Sequence, residues 1–343
     1  MIKKYFFLSI FLMAILLTHI VHHKNYISYK QQVKLMQDIN SGGFENTPKD
    51  FYNNLEVELP NLGFTSLPLK ALKAVYIQVN QPDSINKALD LLHKGIKDNP
   101  YIMFSEGNLA QYYYAIRNYD SAFYYARKSF KGLPKNAIHF AMISKLYANK
   151  GYYDSIIITN ELINKDLSTD ISKIYFASMI NFIDKVNDSL RTKVISQAII
   201  AKEKSLKEKE LQLMADILIK GKEDVNKALE FEYEGEKFLA EKKYTEGINM
   251  YKNALEIREN NLNYISTIGL AYFNLSEYNL VIEYFNKLTD LGIELDPLSL
   301  YIKGQSHIRI GEREKACESL KKASDFGFEK ASVAFKKYCS YNE

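Results

Sequence analysis

Small and apolar residues recur at a constant spacing in the carboxy-terminal half of the chain. Gly235, Gly269 and Gly304 follow one another at a period of about 34 residues, with an apolar residue four positions before each glycine and a ring three positions after it. Positions three and four residues apart share one face of a helix. The frames are Phe231, Glu234, Gly235 and Phe238; Ile265, Ile268, Gly269 and Tyr272; and Leu300, Lys303, Gly304 and His307. Because a second apolar helical pattern follows each frame, the sequence predicts repeated pairs of antiparallel helices.

The amino-terminal half of the chain has the same period. Ala88 and Ala122 stand one period apart, and so do the strings NYDSA and YYDSI. A glycine inside a helix costs about 1 kcal/mol relative to alanine. That cost is offset where the missing side chain lets a ring of the neighbouring helix approach closely. We therefore interpret the rings of this pattern as core residues first.

This helix–turn–helix frame of small, aromatic and alanine positions, with its period of about 34 residues, resembles the tetratricopeptide repeat (TPR) family. The resemblance implies an all-α protein, a TPR-type right-handed α-solenoid of about six helix–turn–helix repeats in two blocks. We predict TPR block 1 at residues 67–168 and TPR block 2 at residues 228–327, joined by a degenerate helical connector at residues 169–227. Residues 328–343 are predicted to form the capping helix that such an array needs over its last apolar face.

One apolar segment lies near the amino terminus. After a short head at residues 1–4, predicted to be cytoplasmic, residues 5–21 form a run of 17 without a charge, at the lower edge of the ~17–25 residues that span a bilayer. No small-residue cleavage site follows, so we predict a transmembrane signal anchor before the solenoid. The expected location is the inner membrane, single-pass, with residues 22–343 on the outer, periplasmic side. The flanking lysines leave the orientation open.

Residues 22–66, with clustered Gly, Pro, Asn and Ser, are predicted to be a tether.

Charge and cysteine content narrow the function. The chain has 45 Lys and Arg against 41 Asp and Glu, and this small, evenly spread excess argues against a nucleic-acid partner. The two cysteines, Cys317 and Cys339, are too few for a disulfide framework or a metal set. We favour two small buried apolar residues over a disulfide. The bridge stays open as the alternative, because Cys339 on the last helix would lie near Cys317.

No catalytic motif occurs in the sequence. It contains no H-E-x-x-H, no G-x-x-x-x-G-K-[ST], no G-x-S-x-G and no paired-cysteine metal spacing. The histidines are scattered, and we interpret His93, His139 and His307 as packing or surface residues. We therefore predict a chain that is not an enzyme and that uses no cofactor and no metal.

First-helix positions that do not belong to the packing frame line the inner, concave face of a TPR array. They mix rings, amides and a few charges, which suits an extended peptide or a sugar better than a polyanion. The alternative is that they are only the wetted lining of a curved array. Some TPR domains clamp a terminal carboxylate with Lys and Asn at fixed first-helix positions. Here the sequence departs from that pattern, because those positions hold Gly107, Asn108, Gln111 and Ala141, Met142, Lys145. The candidate partner-binding residues are Gln111, Tyr114, Lys145, Asn149, Ser266, Phe273, Asn274, Tyr301, Gln305 and Arg309.

A second resemblance covers roughly residues 67–140. The stretch from LPLKALKAVY to AFYYARKSFKGLPKNAIHF is similar to the TPR tail of bacterial O-antigen-ligase-like proteins, but the chain has only one hydrophobic run, so ligase activity does not carry over.

The leading hypothesis is a membrane-anchored scaffold in the bacterial cell envelope that holds an envelope protein or peptide segment through its concave face. The alternative is an accessory factor of surface-polysaccharide assembly that contacts glycan directly.

Overall fold

The computed structural model describes residues 2–41, 43, 47–48, 51–58, 60–63, 65–165 and 168–339. Within these residues all regular secondary structure is helical, apart from one isolated β-bridge between Leu62 and Pro68. This confirms the all-α prediction. The chain divides into two compact units, Met1–Ser178 and Met179–Glu343, which we call unit 1 and unit 2.

The described helices from α2 onwards follow one another with short connections, whereas residues 41–68 separate α1 from α2. Unit 1 contains α1 Ile2–Asn40, α2 Leu69–Asn80, α3 Ile85–Asp98, α4 Phe104–Ala115, α5 Tyr119–Gly132, α6 Ala137–Asn149 and α7 Tyr153–Ile163, and α8 Thr169–Ile180 runs from unit 1 into unit 2. Unit 2 continues with α9 Asp188–Lys204, α10 Lys209–Lys220, α11 Lys222–Ala240, α12 Tyr244–Ile257, α13 Leu262–Asn274, α14 Tyr278–Asp290, α15 Pro297–Arg309, α16 Arg313–Asp325 and α17 Glu329–Cys339.

Helices pair at the predicted spacing. The second helices α5 and α7 begin at Tyr119 and Tyr153, and α12, α14 and α16 begin at Tyr244, Tyr278 and Arg313, so both series keep the period of the sequence pattern. The first helices of neighbouring pairs also contact each other, α2 with α4, α4 with α6, and α13 with α15. A stack of helix pairs, with the first helices along one side, is therefore present within each unit, as expected of an α-solenoid.

A left-handed residue follows the first helix in five of the helix pairs. It stands two positions before the second helix begins, where the chain must leave one helix and start the next antiparallel to it. Its φ is 62° at Arg117, Lys242 and Ser276, 73° at Gly151 and 82° at Gly311. Three of these five turn positions hold a residue other than glycine. The turns therefore cannot be located in the sequence by searching for glycine alone.

The glycines inside the first helices of unit 2 stand at close helix–helix contacts. A Cβ added at Gly235 would lie 2.8 Å from the Tyr251 ring, and one at Gly304 would lie 2.8 Å from Leu320. At Gly269 the nearest atom is Cε1 of Phe285, at 3.2 Å. The helices of a pair approach as closely as the sequence pattern predicts, because a bulky side chain of the second helix occupies the space that a side chain would need.

The prediction of a transmembrane anchor at residues 5–21, with a single-pass inner-membrane location, is wrong. In the part of the chain that the structure describes, no helix is both long and apolar enough to cross a membrane. The uncharged run is at the short end of the ~17–25 residues that span a bilayer, and α1 continues past it through a polar segment to Asn40. The side chains of residues 5, 6 and 8 lie outside the described residues.

The second half of α1 packs against the rest of unit 1. Leu35 is buried in the same apolar core as Tyr52, Leu55 and Leu69. Beside it, the buried carboxylate of Asp38 accepts hydrogen bonds from Thr47 and Tyr52, each at 2.6 Å. The described residues of the segment predicted as a tether therefore include core and hydrogen-bonded positions.

The last two helices are joined covalently. A disulfide links Cys317 on α16 to Cys339 on α17, with the Cα atoms 5.6 Å apart. The favoured expectation of two unbridged cysteines is therefore wrong. The physical reason is that α17 packs on α16 through Ala331 and Ala334, which belong to the unit 2 core, and this contact brings the two thiols together.

Candidate functional site

Three predicted binding residues of unit 1 meet at one point of its surface. The ammonium of Lys145 lies 4.2 Å from the centroid of the Tyr114 ring, and Nδ2 of Asn149 donates a hydrogen bond of 3.3 Å to the Tyr114 hydroxyl. Gln111 is exposed one turn before Tyr114 on the same helix. We call these four residues, Gln111, Tyr114, Lys145 and Asn149, the Tyr114 surface.

Local capping fixes the helices that carry this surface. The Asn136 side chain accepts hydrogen bonds from the backbone N–H of Ile138 and His139 and so starts α6. Lys145 and Asn149 are then four residues apart, on one face of that helix. The Asn118 side chain caps α5, which follows the Tyr114 helix, in the same way through Ser121. The surface is thus framed by helices whose starts are set by the sequence.

The turn beside the Tyr114 surface extends it. The Tyr119 ring packs edge-on against Tyr114, with the ring centroids 5.5 Å apart. Lys150 reaches Asp120 of the neighbouring turn at 3.4 Å. Exposed apolar side chains, Ile116 and Tyr152, lie on these same two turns. These side chains form an aromatic and apolar edge next to Tyr114, whose ring contacts the Lys145 ammonium and whose hydroxyl contacts the Asn149 amide.

The charge of this surface is positive. Among the described residues Lys145 forms no ion pair, and Arg117 on the adjoining turn is exposed. The Asp120 carboxylate at this edge already faces Lys150. A ligand that brings a carboxylate to Lys145 would therefore replace water rather than another carboxylate.

The predicted residues of unit 2 are arranged differently. Phe273 and Tyr301 are half-buried and pack against the unit 2 core. The Phe273 ring meets Tyr278 at 6.0 Å, and the Tyr301 ring meets Phe328 at 5.4 Å. Both rings are therefore partly core residues, which sequence reasoning missed because their covering partners lie on other helices or connections.

The polar members of the unit 2 set lie around these two rings. Asn274 and Arg309 are exposed, whereas Ser266 and Gln305 are half-buried. The amide of Asn274 donates to the backbone carbonyl of Leu270 at 3.0 Å. The first helices α13 and α15 contact each other, so these side chains share one side of the stack without forming a described contact with one another.

A cavity of about 640 Å³ lies between α14, α15 and α16. Its lining includes Leu300, Lys303 and His307, and no predicted binding residue lines it. The Lys303 ammonium donates to Asn286 at 2.7 Å, and burial lowers the pKa of Lys303. Burial also lowers the pKa of His307, although Glu312 shares a hydrogen bond of 2.7 Å with its Nδ1. The sequence signal was that lysine and histidine occupy repeat-frame positions where the preceding repeat has apolar residues.

The described residues do not contain a cluster of three or more His, Cys, Asp or Glu side chains placed to hold a metal ion. The prediction that the chain is not an enzyme stays a prediction. What the surfaces above offer chemically is recognition, through rings, amides and ammonium groups.

No protein-family model matches the chain, and no curated protein matches it in sequence. Several solved TPR structures are similar in fold. A tetratricopeptide repeat protein from Parabacteroides merdae is 14% identical, with 78% of this chain and 96% of that chain covered and a TM-score of 0.37. The TPR domain of P58(IPK) is 12% identical, with 93% and 99% covered and a TM-score of 0.32.

The TPR2AB domain of yeast Sti1, solved in a complex with pHSP90, is 20% identical, with 68% of this chain and 94% of that chain covered and a TM-score of 0.28. These TM-scores are low, so the partners of those proteins say nothing about the partner of this chain. The similarity to O-antigen-ligase-like proteins finds no support in these comparisons. The helix pairs and their spacing in the structure itself carry the description of the fold.

Proposed function

We propose that this chain is a protein-binding scaffold and that the Tyr114 surface holds an extended peptide segment of its partner. The observation that carries the proposal is the contact of Tyr114 with both Lys145 and Asn149. Such contacts fix the ring and the amide before a ligand arrives, which lowers the entropy lost on binding. Tyrosine rings are frequent anchors of protein interfaces.

Each group has a role in the proposed complex. The amides of Gln111 and Asn149 can bond the backbone of an extended peptide, and the exposed edge of Tyr114 and Tyr119 can pack on an apolar side chain. Lys145 supplies a charge, so the bound segment should carry an acidic residue next to an apolar one. We extend the proposal to unit 2, where Asn274 and Arg309, with Ser266 and Gln305 beside them, offer a second polar surface.

Direct glycan binding is not retained as a second function. Sugar recognition by stacking needs a free ring face. Tyr114 carries Lys145 over its ring, and Phe273 and Tyr301 pack against the core. No described observation favours a glycan over a peptide.

The test is site-specific photo-crosslinking in living cells with the full chain. A photoreactive residue at Gln111 should yield a discrete protein adduct, and the same residue at Lys131, exposed on α5, should not. Lys145→Glu should weaken the captured complex at least tenfold, about 1.4 kcal/mol, whereas Lys131→Glu should leave it unchanged. Equal adducts at both positions, or an adduct that is sensitive to glycan-degrading enzymes, would contradict the proposal.

A further inference from the structure

A second cavity, of about 400 Å³, lies in unit 2 where two helices begin. Lys209 is the first residue of α10, and Leu262 and Asn263 are the first two residues of α13. All three line the cavity, together with Leu206 and Lys207 of the connection before α10. None of the residues predicted from the sequence to bind a partner is among them.

Every carboxylate in the cavity wall already has a side-chain partner. Asp216, which is 2% exposed, bonds Nε of Arg258 at 2.9 Å and also pairs with Lys202. Glu232 accepts a hydrogen bond of 2.6 Å from the Tyr264 hydroxyl. Glu259 pairs with Lys220 at 2.9 Å. Asp216 and Glu259 are therefore each paired with a cation, whereas Glu232 is hydrogen-bonded to a neutral hydroxyl and keeps its charge.

The positive groups of the same wall are not matched in this way. Within the described residues Lys207 and Lys209, both exposed, have no carboxylate partner. Arg258 is 6% exposed and uses two of the five N–H donors of its guanidinium, Nε with Asp216 and Nη1 with Tyr264. The bond to Asp216 holds the pKa of Arg258 above its ordinary value, although burial acts in the opposite direction.

The helix ends add to this positive potential. A helix amino terminus carries unsatisfied N–H groups and a partial positive charge. No side chain caps α10, and the Asn261 cap of α13 serves the N–H of Tyr264 only. Glu208 at the N-cap of α10 and Glu210 in its first turn offset part of the charge of that end. The two lysines and the buried guanidinium therefore supply most of the positive potential of the cavity, which favours an anion.

Four apolar side chains form part of the remaining wall, beside Gln212, Asn260 and Asn261. Leu206, Leu213, Leu262 and Ile293 line the cavity and are half-buried. A volume of about 400 Å³ is within the range of small-molecule sites. A free inorganic anion would leave these side chains against water, whereas an anion that carries a short hydrocarbon body would cover them.

We propose that this cavity binds a small organic anion, whose carboxylate or phosphate group meets Lys207, Lys209 and Arg258 and whose short aliphatic body lies on the leucines. The site is in unit 2 and does not depend on the peptide-binding role of the Tyr114 surface. Titration with small anions therefore tests this site alone, and photo-crosslinking at Gln111 tests the peptide-binding role alone.

The test is calorimetric titration of the full chain with four probes, which are hexanoate, hexyl phosphate, 1-hexanol and inorganic phosphate. One of the two hexyl anions should bind saturably and more tightly than inorganic phosphate, and its affinity should fall as salt is added. The tighter of the two identifies the anionic group. 1-Hexanol should not bind. Absence of saturable binding by either hexyl anion at millimolar concentration, or equal binding of 1-hexanol, would overturn the proposal.

Variants localise the binding. Lys207→Ala with Lys209→Ala should weaken the hexyl anion at least tenfold. The matched pair Lys321→Ala with Lys330→Ala, exposed elsewhere in unit 2, should not change it. Leu213→Ala should weaken the hexyl anion and leave the affinity for inorganic phosphate unchanged. Equal affinities in the two lysine pairs, with unchanged thermal melts, would show that the anion binds elsewhere and would overturn the proposal.

Discussion

The two units place aromatic residues of their first helices in different environments. In unit 1 the half-buried Tyr114 ring has Lys145 over it and Asn149 on its hydroxyl. In unit 2 Phe273 and Tyr301 pack on the core beside Tyr278 and Phe328. Tyr119 also packs edge-on against Tyr114, as Tyr278 does against Phe273, so what distinguishes Tyr114 is its contact with an ammonium and an amide of the next first helix. The phenolic oxygen of Tyr114 also gives that ring a polar handle, which phenylalanine lacks.

The buried carboxylates of the two units differ as well. Asp216 in unit 2 faces a buried guanidinium, whereas Asp38 in unit 1 faces two hydroxyl groups and a half-exposed lysine. A hydroxyl that loses its acceptor stays neutral, but a buried guanidinium that loses its carboxylate remains charged. Unit 2 is therefore expected to depend more strongly on its aspartate than unit 1 does.

The largest expected effect is that of Asp216→Asn. Removal of one partner of a buried ion pair costs about 3–5 kcal/mol, because Arg258, which is 6% exposed, keeps its charge after its carboxylate partner is lost. Hydrogen exchange followed by mass spectrometry would measure the loss of protection in each unit of the intact chain. The control, Asp38→Asn, should cost about 1–3 kcal/mol, with the loss in unit 1. Equal losses from the two substitutions would contradict the comparison.

Reduction of the Cys317–Cys339 disulfide comes next. Both cysteines of the chain lie in unit 2, separated by 22 residues. Loss of a bridge across a loop of this size lowers the free energy of unfolding by about 3 kcal/mol. A thiol reductant should therefore accelerate exchange in α16 and α17 and leave unit 1 unchanged. The double variant Cys317→Ser with Cys339→Ser should be insensitive to the reductant.

Alanine substitution of Phe273 and of Tyr114 tests directly whether the two rings contribute differently to stability. Phe273→Ala should lower the free energy of unfolding by about 2 kcal/mol, below the about 3–5 kcal/mol of a fully buried phenylalanine. Tyr114→Ala loses mainly its contacts with Lys145 and Asn149 and should cost about 1 kcal/mol or less. Urea unfolding curves would measure both. A stability loss at Tyr114 that equals that at Phe273 would mean that Tyr114 is a core residue too.

The smallest expected effect is a pH dependence. Burial lowers the pKa of His139 in unit 1, against the backbone carbonyls of Ser129 and Leu133, which raise it. The unfolded chain then binds the proton more readily, so stability is fully present above the ordinary value of about 6.5 and is lost as the pH falls towards the lowered pKa. His139→Gln should remove this slope from unit 1 between about pH 7 and pH 5.

His307 in unit 2 provides the internal control for that slope. Burial lowers its pKa as well, but its Nδ1 faces Glu312, so part of the cost of protonation is compensated there. Exchange protection in unit 2 should therefore fall less steeply than in unit 1 over the same pH range. A steeper loss in unit 2 would show that the Glu312 contact does not stabilise the protonated ring.

The helix pairs and their spacing could be predicted from the sequence because both depend on local pattern. Apolar residues three and four apart define a helix face, and Gly235, Gly269 and Gly304 mark the close contacts that the structure contains. Asn118 and Asn136 start their helices through bonds to residues two or three positions on. The prediction of a membrane span at residues 5–21 was wrong for a related reason. It depended on local apolar composition alone, which resembles that of a transmembrane helix.

Only the tertiary structure decided which of these residues are available to a ligand. Tyr114 meets Asn149, Tyr301 meets Phe328 and Asp216 meets Arg258, and the members of each pair lie far apart in the sequence. The same is true of the disulfide and of the cavity where α10 and α13 begin. A repeat period specifies the face that a helix buries. Which side chain of the next helix covers a given ring depends on how the pairs stack, and no local pattern contains that information.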